Sequence, residues 1–193
     1  MYIRKDKFFK KARKEGHRAR SVYKLREINN KHNLIGKDDR VLDLGCAPGS
    51  WLEEVTNLIG SGMVIGVYMI KMKPINNVTF IQGNINDEET LEEIEDASEI
   101  FDVILSDLAP KTTGVAELDQ FQAMSLNMRV LEVCDKFLKK RSGRLLMKAF
   151  QGREFQNIVK NVKRKFNYVK VIKPGAVRKG SKEIYIIAKE FRG

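Results

Sequence analysis

The stretch Val41–Trp51, VLDLGCAPGSW, restricts what this chain can fold into more than any other. Val41, Leu42 and Leu44 form a short apolar run of the kind a buried parallel strand needs, and it leads directly into a glycine turn. Gly45, Cys46, Ala47, Pro48 and Gly49 carry little side-chain bulk, so a ligand can lie against bare backbone there. Ser50 has the chemistry to cap a helix over Trp51–Leu58. Strand, glycine turn and helix start make the opening unit of a nucleotide-binding α/β sheet. Ala47 and Ser50 stand where the dinucleotide fingerprint needs glycines, and the Gly-Lys-Ser/Thr ending of a phosphate-cradling loop is absent. A small ligand with an adenosine and no phosphates remains, and S-adenosylmethionine fits that description. Asp43, at the strand end, can attract its positive charge. An ordinary βα turn with no ligand is the alternative reading of this stretch.

At 193 residues the chain is expected to form one domain with a sizeable core. No apolar run approaches the roughly 20 residues of a bilayer span, and the N-terminal MYIRKDKFFKKARKEG has no apolar signal core. Cys46 and Cys134 lack metal-ligand spacing and read as small buried residues in a reducing compartment. No membrane contact, no metal and a cytoplasmic location are expected. The charge is strongly segregated. Residues 1–40 carry 14 Lys+Arg against 5 Asp+Glu, residues 41–135 carry 4 against 17, and residues 136–193 carry 18 against 3. If folding brings the two basic ends together, they form one positive face suited to a polyanion, and nucleic acid is the natural partner.

Residues 3–33 read as two helical pieces separated near Gly16, the second with Val22, Leu25, Ile28 and Asn29 on one stripe. Phe8, Phe9 and Tyr23 lie among basic residues, and at least two of them are expected to pack rather than to stack on bases. Further strands are expected at Met63–Ile70, Val78–Gly83, Phe101–Asp107 and Gly143–Phe150. Helices are expected at Glu88–Glu99, Glu117–Lys140 and Glu154–Phe166, with Phe121 among the apolar positions of the long one. Tyr168–Pro174 and Lys182–Glu190 alternate as strands do. Strands alternating with helices predict a mostly parallel sheet, and the final pair an antiparallel hairpin at one edge.

Ligands of such sheets sit beyond the carboxyl ends of the strands. Asp107 and Lys148 project from there, and a lysine in the apolar string LLMKAF is costly to bury unless paired. On these two residues alone, a structural ion pair bracing two strand ends is slightly the better explanation. Five strings carry a wider resemblance: RARSVYKLREI (Arg18–Ile28), VLDLGCAPGSW, DVILSDLAP (Asp102–Pro110), MKAFQG (Met147–Gly152) and SKEIYIIA (Ser181–Ala188). In these the chain resembles the FtsJ/RrmJ family of S-adenosylmethionine-dependent RNA ribose 2′-O-methyltransferases, of the large-subunit ribosomal type, nearly end to end.

The resemblance implies a Rossmann-like class I methyltransferase. Its α/β fold has a seven-stranded, mostly parallel sheet, a C-terminal antiparallel hairpin and helices on both faces. Residues 1–193 are expected to be one domain, with residues 1–35 a basic helical extension packed on it. The family's catalytic Lys–Asp–Lys–Glu pattern falls on Lys24, Asp107, Lys148 and Glu183. The implied cofactor site comprises Asp43, Gly45, Cys46, Ala47, Pro48, Gly49, Trp51, Tyr68, Asn84 and Asp107. Tyr68 and Asn84 depart from the family, which usually carries acidic residues at both positions. Tyrosine lacks a carboxylate's double acceptance from a ribose diol, while an asparagine oxygen can still accept from an adenine amino group.

The expected partner is ribosomal RNA or the large ribosomal subunit, contacted by the basic N-terminal helix and the C-terminal segment of a monomer. A transfer RNA or messenger-cap substrate is the alternative within the same chemistry. A non-catalytic RNA-binding assembly factor with a decayed cofactor site is the alternative outside it.

Overall fold

The structure, a computed structural model, describes residues 6–110 and 113–193. Residues 3–5 of the expected first helical piece lie outside the described residues. The helices are α1 (Lys7–Lys14), α2 (Val22–His32), α3 (Ser50–Leu58), α4 (Glu88–Ala97), α5 (Ala116–Phe137) and α6 (Phe155–Lys165). The strands are β1 (Arg40–Leu44), β2 (Met63–Tyr68), β3 (Thr79–Gln82), β4 (Val103–Ser106), β5 (Arg144–Phe150), β6 (Phe166–Ile172) and β7 (Glu183–Phe191). They form one sheet in the order β3-β2-β1-β4-β5-β7-β6. Every neighbouring pair is parallel except those involving β7, which runs antiparallel to both β5 and β6. The expected hairpin therefore exists, but its second strand inserts inside the sheet and leaves β6 at the edge.

Strand alternation sends side chains to two apolar layers. Leu42 and Leu44 of β1, Ile104 of β4, Met147 of β5 and Ile186 of β7 face one layer, which α4, α5 and α6 cover. Val41, Leu105, Leu146 and Tyr185 face the other, built from Leu25 and Ile28 of α2 and Trp51, Leu52 and Val55 of α3. Leu25 and Ile28 are fully buried, and each contributes about 1.5–3 kcal/mol by leaving water. α2 is therefore part of the core, and Leu25→Ala would cost about 2–5 kcal/mol.

The start of α1 is held by Asp6, whose Oδ1 accepts from Phe8 N (3.1 Å) and Phe9 N (3.3 Å). Phe8 packs on Tyr23 with ring centroids 5.6 Å apart, whereas Phe9 is 53% exposed. One expectation about local structure is corrected. Ser50 does not cap α3: Gly49 is the N-cap, in the left-handed region at φ +100°, and Ser50 lies inside the first turn. There its hydroxyl bonds Ser21 Oγ at 2.6 Å, which ties α3 to the start of α2. Phe121, one of the apolar positions in the pattern of α5, is 61% exposed.

Candidate active site

The strand order reverses at β1, which pairs with β2 on one side and β4 on the other. A crevice is expected outside the carboxyl ends of strands that part in this way. A cleft of about 430 Å³ lies there, within the range of small-molecule sites. Gly45 from the glycine turn, Tyr68 at the end of β2 and Asn84 after β3 all line it, opposite Leu108, Phe121 and Leu126. Gly45 sits at φ +83°, and a Cβ there would come 2.7 Å from Leu108 Cδ2. Only glycine keeps the turn this close to the 107–110 segment.

The other residues expected around a cofactor are arranged differently. Cys46 and Trp51 are buried. The Trp51 indole donates to Ser21 O at 2.9 Å and its ring packs beside Tyr185, so it supports the site from beneath and does not line the cleft. Ala47, Pro48 and Gly49 also lie outside the cleft wall. Arg18 clasps this part of the turn, donating to Pro48 O (3.2 Å), Lys73 O (2.8 Å), Pro74 O (2.9 Å) and Glu53 Oε1 (2.6 Å).

Asp43 is fully buried, and neither carboxylate oxygen has a hydrogen-bond partner among the described residues. Burial, and then the charge of Asp107, push its pKa well above the usual carboxylate range. An orphaned carboxyl beneath a bare glycine turn suits a ligand that brings a positive charge or a donor. The neutral cleft beside it suits an adenosine. Gly45, Tyr68 and Asn84 on the cleft wall and the orphaned Asp43 carboxyl nearby are therefore a residue set that fits S-adenosylmethionine.

Lys24, Asp107, Lys148 and Glu183 come together at the same end of the sheet. Alternation explains much of this, because Lys148 shares its face with Leu146, and Glu183 with Tyr185, toward α2 and α3. The antiparallel course of β7 explains the rest. Its first residue, Glu183, pairs with Phe150, the last residue of β5, and Tyr185 pairs with Lys148. Lys24, on the buried face of α2, donates to Glu183 Oε1 at 2.6 Å. Lys148 Nζ lies 3.2 Å from Asp107 Oδ1 and also donates to Asp107 O.

Tyr185 joins these two pairs. Its hydroxyl oxygen is 2.8 Å from Asp107 Oδ1 and 2.9 Å from Glu183 Oε1, and one hydroxyl hydrogen serves both. The result is an unbroken chain, Lys24–Glu183–Tyr185–Asp107–Lys148. Burial acts to raise the Glu183 pKa, but the Lys24 charge and hydrogen bond, the Tyr185 bond and the Lys148 charge outweigh it and hold it below the usual range. Burial, and then Asp107 and Glu183, push the Tyr185 phenol upward, so it stays protonated and donates. Sequence reasoning missed Tyr185 and Arg18. Tyr185 carried a signal, since it stands two residues from Glu183 in an alternating string and must share its face.

The two basic ends of the chain also meet. Gly175 N donates to Glu27 Oε2 at 2.8 Å, and Arg20 bonds Ala176 O and pairs with Asp6. A groove between α1 and the β6–β7 loop is lined by Lys7, Phe8, Arg20, Arg178 and Lys179, with Asp6 at its base. Among the described residues, no helix is long and apolar enough to cross a membrane, and no group of three His, Cys, Asp or Glu residues could hold a metal ion.

Comparison with known proteins agrees with this geometry. Residues 17–191 match the family model described as FtsJ-like methyltransferase. A protein of Methanosphaera stadtmanae named ribosomal RNA large subunit methyltransferase E is 42% identical, over 98% of this chain and 94% of its own. A protein of the same name from Archaeoglobus fulgidus is 41% identical over 100% and 99%. Among solved structures, a Plasmodium falciparum chain described as a ribosomal RNA methyltransferase superposes with a TM-score of 0.79 at 29% identity, covering 92% of this chain and 100% of that one. Fibrillarin from Methanococcus jannaschii, with a TM-score of 0.59 at 16% identity over 83% and 70%, shares the fold.

Proposed function

The chain belongs to the FtsJ-like methyltransferase family, and from that premise we propose that it methylates a ribose 2′-hydroxyl of large-subunit ribosomal RNA, at a uridine, with S-adenosylmethionine as donor. The observation that carries this reading is the five-member chain from Lys24 to Lys148 beside a nucleoside-sized cleft. When bound, S-adenosylmethionine supplies a methyl group on a sulfonium, a good electrophile. A ribose hydroxyl is a poor nucleophile and must lose its proton as it attacks. Lys148 orients that hydroxyl and takes the proton, while Asp107 fixes the ammonium at 3.2 Å. Lys24, pinned by Glu183, holds the nucleotide in place. Tyr185 keeps the two carboxylates in one register, so a shift at either lysine is felt at the other. A lysine accepts a proton only when neutral, so turnover rises toward alkaline pH.

The groove beside α1 extends the site toward the polymer. Lys7, Arg178 and Lys179 suit successive phosphates there, and Phe8 supplies an aromatic face. Residues 1–193 act as one methyltransferase domain, with α1 and α2 forming both substrate surface and core. Lys148→Ala tests the assignment. Methyl transfer to ribosomal RNA is expected to fall by about 10²- to 10⁴-fold, with S-adenosylhomocysteine binding intact. Near-normal transfer by the variant would overturn the role given to Lys148. Mapping of tritiated methyl on total RNA from a deletion strain tests the substrate, and a label on transfer RNA or a cap would overturn it.

A further inference from the structure

The cleft that would receive the nucleoside has no charged side chain in its wall among the described residues. The residues outside that description, 1–5 and 111–112, include no Asp or Glu, so they cannot add a carboxylate. The absence is unusual for the place. The end of the second strand in a nucleoside-binding α/β sheet is where an acidic side chain accepts from the ribose hydroxyls, and here that residue is Tyr68. Asn84 does not substitute for it. Its Oδ1 already accepts from Asn86 N and Asn86 Nδ2, both at 3.1 Å, so the amide nitrogen is what it can offer a ligand. The wall is well supplied with flat and apolar surface: Tyr68 on the β2 side, Leu108 after β4, and Leu126 and the 61%-exposed ring of Phe121 on α5.

We propose that this cleft recognises the nucleoside half of the cofactor by its base and not by its ribose hydroxyls. The adenine lies against the aromatic rings of Tyr68 and Phe121 and accepts a hydrogen bond at a ring nitrogen from Asn84 Nδ2, while the ribose hydroxyls go unread by any carboxylate. The inference rests on the methyl-donor reading of the cleft and adds what the cleft discriminates. Phe121 becomes a binding residue, which accounts for a large ring left in water at the mouth of a cleft.

The test is calorimetry with S-adenosylhomocysteine and its 2′-deoxy and 3′-deoxy analogues on the full chain. Both analogues are expected to bind within about 3-fold of the parent, whereas a site that reads a hydroxyl with a carboxylate would lose about 10-fold or more for each one removed. Phe121→Ala, at an exposed position where folding is not at stake, is expected to weaken all three ligands equally, by about 5- to 100-fold. Tyr68→Asp is expected to create a preference for the intact diol. A 10-fold loss on removal of either hydroxyl from the wild-type ligand would overturn the proposal, as would unchanged affinity in Phe121→Ala. If S-adenosylhomocysteine itself gave no heat, the methyl-donor reading would fall first, and this inference with it.

Discussion

Tyr185→Phe isolates the joint of the site with the smallest possible change. The ring remains, so the packing on Trp51 at 5.9 Å and the contact with the Lys24 ammonium at 5.7 Å both survive. What is lost is one hydroxyl hydrogen lying between two carboxylate oxygens at 2.8 and 2.9 Å. A hydrogen bond to a charged acceptor is worth about 1.5–3 kcal/mol. In a domain of this size each kcal/mol moves Tm by about 2–4 °C, so a fall of about 3–12 °C is expected. If the same bond holds Asp107, and through it Lys148, in line with the hydroxyl, about 1.4–2.7 kcal/mol of it is also missing at the transition state. That lowers kcat by about 10- to 100-fold. Because Tyr185 does not line the cleft, S-adenosylhomocysteine affinity should stay at the wild-type value, and the loss should fall on kcat rather than on KM for the donor. A variant with lowered Tm but wild-type kcat would reduce Tyr185 to a structural brace and refute the relay.

Asp43→Asn should raise stability at neutral pH, because the amide cannot ionise and so lacks the cost of keeping a buried carboxyl protonated there. The folded chain keeps a proton there that the unfolded chain releases above the ordinary carboxylate range, so wild-type stability falls as pH rises through that window. The advantage of the variant should therefore grow with pH in thermal melts, while S-adenosylhomocysteine affinity drops; a variant less stable than wild type at neutral pH would contradict this. Glu183 has the opposite sign: its depressed pKa contributes stability above its unfolded value of 4.5, which is lost as pH falls through the folded value. Glu183→Gln should flatten the acid limb of a Tm–pH curve, and an unaltered limb would show that the Lys24 pair is not what protects the fold there. RNA affinity should fall steeply with salt, and Arg178→Ala with Lys179→Ala should reduce the slope of log K against log[salt] by about 1–2. An unchanged slope would place the RNA away from the α1 groove.

The local order of this protein is written in its sequence, because period and turn chemistry are local properties. The apolar runs found the seven strands to within a few residues, and alternation in KEIYI puts Glu183 and Tyr185 on one side of their strand, while the pairing of β5 with β7 puts Lys148 on the same face. Where prediction slipped, packing had overruled local preference. Ser50 looked like a cap but is used to tie α3 to α2, since Gly49 reaches the left-handed conformation at no cost. Trp51 looked like a ligand contact but fills the layer under Tyr185, and Phe121 matched the apolar pattern of α5 yet stands in water. Strand order belongs to the tertiary structure alone. Nothing in the sequence of β7 says that it enters between β5 and β6, yet that insertion turns Glu183 toward the finishing ends of its neighbours. It also brings Lys24 to a carboxylate 159 positions away. Hydrophobic periodicity determines which face a residue looks from, but only the closing of the sheet determines which charges share that face at bonding distance.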